Sequence, residues 1–135
     1  MSFDWSSFCE IARELASRAP ATDHAEAAWR SGTSRAYFSA YNAARQYLTD
    51  FEPTWKPARE DSHVQVFKFI DSLTAHGRLH RKIATDLQRL RVRRNAADYD
   101  VVAHPQTNAE DSVTVAELVR SLIEELRGKR RGQPP

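Results

Sequence analysis

The sequence predicts an all-α protein, an antiparallel bundle of four to five long helices. Three observations lead there. Apolar residues recur at three- and four-residue intervals in five separate segments, as one face of a helix requires. Prolines fall between those segments. No run alternates apolar and polar residues with the strength of a strand, and no internal repeat divides the chain. A chain of 135 residues is long enough for one core and short for two. We expect a single domain over 1–127, with the basic Gly/Pro-containing end "GKRRGQPP", 128–135, as a disordered tail.

In the first helix Trp5, Phe8, Ala12, Leu15 and Ala19 make one apolar stripe, with Asp4 as N-cap and Pro20 as stop. The second begins near Thr22–Asp23 and runs to about Thr49. Its small residues Gly32, Ala36, Ala40 and Ala43 permit close helix contact, and Trp29, Tyr37, Phe38, Tyr41 and Tyr47 supply bulk. Glycine costs about 1 kcal/mol in a helix interior, so Gly32 either packs closely or marks a bend. Two prolines make "FEPTWKPARED" a loop. Ser62 then caps a third helix with Val64, Phe67, Ile70 and Leu73 inward, closed by "AHG". The fourth starts near Arg78, turns Leu79, Ile83, Leu87 and Leu90 inward, and runs into "RVRRNAADYD". After the break "HPQTN" a fifth begins at Asn108 or Asp111, with Val115, Leu118, Leu122 and Leu126 aligned.

Composition excludes several classes. No stretch approaches the roughly 18–20 continuous apolar residues of a membrane span. The first ten residues lack the basic start and apolar run of a secretory signal. A single cysteine, Cys9, forms no internal disulfide and is read as a small buried hydrophobe, which points to a reducing, cytoplasmic setting. His63, His76 and His80 show no metal-ligand spacing and are read as surface residues, so no metal and no other cofactor is expected. Net charge is only +2, but between Arg78 and Arg94 Asp86 is the one acid among seven basic residues. Such a strip suits RNA or nucleotide phosphates.

Three pieces together resemble the HEPN family, small helical domains found in bacterial toxin–antitoxin and defence systems. They are "FDWSSFCEIARELA", "RSGTSRAYFSAYNAAR" and "LRVRRNAADYD", and in order and spacing they cover roughly residues 3–126. The resemblance implies a four- or five-helix domain that pairs as a homodimer. It also implies a metal-independent ribonuclease whose Arg-x4–6-His motifs meet across the dimer groove. Arginine suits the phosphate because its fork meets two oxygens at once. Histidine suits proton transfer because it titrates near neutrality. Arg94 and Asn95 match the start of the motif, but Tyr99 stands where histidine is expected and His104 lies beyond the window. Tyrosine ordinarily ionises at about pH 10, which makes it a weak base and a usable proton or hydrogen-bond donor. In a branch of the family a nucleotidyltransferase modifies a tyrosine two residues past the histidine, which here is Val101.

The candidate catalytic residues are therefore Arg94, Asn95 and Tyr99, and the candidate phosphate-binding pair is Arg91 and Arg94, which share a helix face at i, i+3. Beside these roles stand plainer ones. Arg94 and Asp98 at i, i+4 suit a simple salt bridge worth about 0.3–0.5 kcal/mol. Asn95 suits a helix end equally well, and Tyr99 suits a core or interface position. Arg35, mid-helix among small and aromatic residues, is expected to support the motif by pairing with Asp98 or Asp100. Two function classes follow. One is an RNA- or nucleotide-engaging HEPN-like protein of toxin–antitoxin or defence type, with or without ribonuclease activity. The other is a non-catalytic module that binds a partner protein such as a nucleotidyltransferase.

Overall fold

A computed structural model describes residues 4–56, 62–73 and 77–132. Within them the chain folds as five helices: α1 (Ser6–Ala16), α2 (Ala25–Phe51), α3 (Ser62–Ser72), α4 (Arg78–Tyr99) and α5 (Pro105–Arg131). No described residue is in a strand, and no helix is long and apolar enough to cross a membrane. The all-α bundle is thus as the periodicity predicts.

Helix α2 is the axis and packs against all four others. Its alanines Ala36, Ala40 and Ala44 are fully buried, which lets neighbouring backbones come close, while Tyr37, Tyr41, Tyr47 and Leu48 fill the space between them. Gly32 marks close packing rather than a bend. A Cβ there would lie 3.2 Å from Ala12 O and from Leu15 Cβ, and 3.3 Å from Ala16 N. Helix α1 therefore lies directly on α2, and Arg13 ties it to Glu117 of α5. The N-cap position is Trp5 rather than the expected Asp4, but Asp4, one residue earlier, still accepts at its Oδ1 from Ser6 N–H at 2.9 Å. The helix closes at Ala16, before Pro20, and Ala19 is exposed.

Three expectations need correction. Helix α5 starts at Pro105, not at Asn108 or Asp111, because proline at the first helical turn loses no needed N–H. Its buried face is Ala109, Val113, Ala116, Val119, Ile123 and Leu126, and Leu118 is 41% exposed. Of the expected stripe Val115 and Leu126 are buried and Leu122 packs against the core, so Leu118 is the one member that faces out, while Ala109, Val113, Ala116, Val119 and Ile123 supply the rest of the core side. Helix α5 also continues to Arg131, so 128–131 are not a disordered tail, and Arg130 bonds Glu52 Oε1 at 3.1 Å and Phe51 O at 2.6 Å. In α3 the buried residues are Val66 and Ile70, with Val64, Phe67 and Leu73 partly covered. His76, the Ser62 side chain and residues 133–135 lie outside the described residues.

Candidate functional site

The basic strip of α4 is largely spoken for by local acids. Asp86, fully buried, holds Lys82 Nζ at 3.1 Å and Arg89 Nη1 at 3.4 Å. Arg93 Nη2 stands 3.8 Å from Asp111 of α5. Arg94 Nε lies 3.0 Å from Asp98 Oδ2, as the i, i+4 spacing predicts. The contact is an ion pair without hydrogen-bond alignment, so the buried Nε–H keeps no acceptor. Arg94 Nη1 donates to Asn95 Oδ1 at 3.2 Å, which makes Asn95 a neighbour that orients the guanidinium. Among the described residues Arg91 makes no hydrogen bond or ion pair, which leaves its charge available.

Arg94 rests on an aromatic wall. Its guanidinium lies over the Phe38 ring, 5.3 Å from the centroid. Phe38 meets His63 edge-on at 5.7 Å, and His63 stacks on Tyr41 at 4.2 Å. The Tyr37 hydroxyl stands 2.6 Å from His63 Nδ1. His63 is thus not a surface residue. It is half-buried at the start of α3, against the same stretch of α2 that carries Phe38. His80, at 9% exposure, is buried as well.

Electrostatics join these groups. Burial pushes the His63 imidazole below its ordinary value, and the charges of Arg94 and Arg91 push the same way. It is therefore neutral at pH 7. Burial pushes the Tyr37 phenol up, against the pull of Arg91 and Arg94, so it keeps its proton. With the phenol donating, Nδ1 accepts and Nε2 carries a proton to give. With Nδ1–H donating to the phenol oxygen, Nε2 is a free base. Either tautomer leaves one ring nitrogen for a ligand.

No protein-family model, no curated protein and no solved structure matches the chain significantly. The site is read from its own chemistry.

Two of the sequence candidates are placed otherwise than expected. Tyr99 is 79% exposed, so it is no core residue. Five residues turn it about 140° around α4 from Arg94, away from the Arg94 face. Arg35 does not pair with Asp98 or Asp100. It is exposed, with its guanidinium over the Phe8 ring at 5.2 Å, and among the described residues it has no ion pair. The tie from α2 to the motif is Arg30, whose Nη1 donates to Ala97 O at 2.8 Å and Asp100 O at 2.7 Å. Arg35 and Asp98 do share a shallow cleft with Arg30 and Phe38, about 390 Å³, between α2 and the end of α4.

Proposed function

We propose that this chain is a HEPN-like helical protein that engages RNA or nucleotide phosphates through Arg91 and Arg94, with His63 as its proton-transfer group. One observation carries the reading: a neutral, half-buried imidazole, anchored by Tyr37, in the electrostatic range of two arginines, of which Arg91 has no ion pair among the described residues. Those are the needs of metal-free RNA cleavage. The 2′-hydroxyl loses its proton to a base and its oxygen attacks the neighbouring phosphorus. The bond from phosphorus to the 5′-oxygen breaks, and that oxygen takes up a proton, leaving a 2′,3′-cyclic phosphate. Arginine stabilises the charge that builds on the phosphoryl oxygens. His63 fills the role that the departed motif leaves vacant, and Tyr99 is released from it.

The toxin–antitoxin or defence setting and the homodimer belong to the same proposal. The exposed Val92, Tyr99 and Val101 at the end of α4 are what a second copy would cover. The same strip is the observation that favours a second reading, a non-catalytic module for a partner such as a nucleotidyltransferase.

The deciding experiment is RNA cleavage in EDTA, scored by 2′,3′-cyclic phosphate ends. Wild type is expected to cleave, and Arg94→Ala and His63→Gln each to lose about 10²–10³-fold, the range for removing one group that acts on the transition state. Arg91→Ala should weaken RNA binding more than it slows cleavage. A wild-type protein that neither cleaves nor binds RNA overturns the proposal in favour of the partner-binding module.

A further inference from the structure

The shallow cleft of about 390 Å³ between α2 and the end of α4 adjoins the Arg94 site through two of its walls. Phe38, one of them, carries the Arg94 guanidinium over its ring. Asp98, the other, has its Oδ2 3.0 Å from Arg94 Nε. A phosphate held by Arg94 therefore has this cleft as its neighbour. The volume lies toward the lower end of small-molecule sites, in the size class of one nucleoside.

The polar groups of the cleft fall into two sets. Arg30 is committed to the fold, with Nη1 on Ala97 O and Asp100 O and Nε on Glu26. The rest are uncommitted. Asp98 faces Arg94 without hydrogen-bond alignment, and neither of its oxygens accepts a hydrogen bond among the described residues. Arg35 has its guanidinium over the Phe8 ring, and its N–H edge makes no hydrogen bond or ion pair among them. Thr33, Asn42 and Thr49 of α2 bond back to the carbonyl four residues earlier. The Ser31 and Ser34 hydroxyls, which line the cleft, make no such bond. Free acceptors thus stand on the α4 wall and free donors on the α2 wall, with an aromatic ring beside them.

We propose that this cleft reads a guanine base next to the phosphate on Arg94. The inference rests on the RNA reading of Arg94 and gives that site a sequence preference. Single-stranded bases are recognised by aromatic contact and by their hydrogen-bonding edges. Guanine presents two neighbouring donors, N1–H and the N2 amine, to the two oxygens of Asp98. Its O6 and N7 accept from the Arg35 fork, the pairing arginine commonly makes with guanine. The other bases fail. Adenine sets N1, an acceptor, against the carboxylate and its N6 amine against Arg35. Cytosine turns the acceptor N3 to Asp98 beside its one amine, and uracil flanks its single N–H with two carbonyl oxygens. Acceptor against acceptor repels, so the cleft discriminates against the wrong base as well as for the right one.

Binding is measured apart from cleavage, by titrating the 5′-monophosphates of the four nucleosides into ¹⁵N-labelled full-length protein. GMP should shift the Ser34, Arg35, Ala97 and Asp98 amides saturably. It should bind about ten-fold or more tightly than AMP, the discrimination of one bidentate pair. Inosine monophosphate, which lacks only the N2 amine, should fall between them. Asp98→Asn should erase the preference, whereas Arg94→Ala should weaken all four nucleotides alike and leave it. In RNA, wild-type cleavage should fall beside guanosines. Selective GMP binding in the cleft without RNA cleavage upholds the guanine site and strikes the ribonuclease reading alone. Cleavage spread evenly over all four bases overturns the guanine site and leaves the ribonuclease reading standing. Equal binding of GMP and AMP, no shift with any nucleotide, or a preference that survives Asp98→Asn also overturns the guanine site.

Discussion

Protonating His63 would put a third positive charge beside Arg91 and Arg94 in a half-buried place, which is why burial and both arginines depress its pKa. The consequence for stability has a definite sign. Well above the ordinary value of 6.5 the imidazole is neutral folded or unfolded. As pH falls through that value the unfolded chain takes up the proton first, so the folded state loses stability. Urea unfolding between about pH 7.5 and about pH 5.5 should therefore show a steeper loss in wild type than in His63→Gln. Equal slopes would remove the electrostatic link between His63 and the arginines. Tyr37→Phe tests the anchor: it should leave RNA binding intact and lower cleavage, by freeing the ring to turn. The Arg94–Asp98 pair was legible in the sequence because it is local to one helix. His63 was not, because it reaches Arg94 across Phe38 from a different helix, and spacing along one element cannot show that. Arg30 carries the tie expected of Arg35, and the sequence could not show it for a related reason. The two are five residues apart and point to different sides of α2, and only the packing of α4 decides which side carries the motif.

The contact of α1 with α2 is set by Gly32, and two of the three atoms that a Cβ would crowd are backbone atoms of α1. Side chains can turn aside, but a helix backbone must move as a body. Gly32→Val should therefore destabilise the protein by about 1–3 kcal/mol, the usual cost of overpacking, although it removes a helix-weakening glycine. Chemical denaturation measures this, and an unchanged midpoint would mean that α1 shifts freely. The end of α4 depends likewise on Arg30, which supplies donors to two carbonyls, those of Ala97 and Asp100. Loss of charge-assisted bonds of this kind costs about 1.5–3 kcal/mol each when buried, and less here because Asp100 is exposed. Arg30→Ala is expected to fray the helix end locally, with faster hydrogen exchange at the Tyr99 and Asp100 amides and little change in α1. Helix identities were readable because apolar period and proline placement agree. The inward side of α5 was only partly readable: Val115, Leu122 and Leu126 fall on the core side, but Leu118 does not, and the small buried residues Ala109 and Ala116 give no apolar signal as strong as a leucine.

At the scale of the whole molecule, the unanswered feature of the fold is the apolar edge of α4. Val92 and Tyr99 are 58% and 79% exposed and stand seven residues apart, two turns along one strip, with Val101 at 99% just beyond. Scattered exposed apolar residues are ordinary, but a strip repeated over two turns on the side of α4 away from Arg94 is what a symmetric interface needs. If a second copy covers it, two Arg91–Arg94 pairs would lie on one assembly, and four arginines would act on one RNA strand. Each phosphate neutralised on a single strand contributes about −0.7 to the slope of log affinity against log salt. The wild type should then sediment at twice its 15.4 kDa chain mass and bind single-stranded RNA with a slope of roughly −2.8. Val92→Lys/Tyr99→Lys should sediment as the single chain, with a slope of roughly −1.4, because half the arginines leave the complex. The added lysines lie outside the Arg94 face, so a slope that steepens instead would show them binding RNA directly. A wild type that sediments as one chain at all concentrations would confine the site to a single copy and its two arginines.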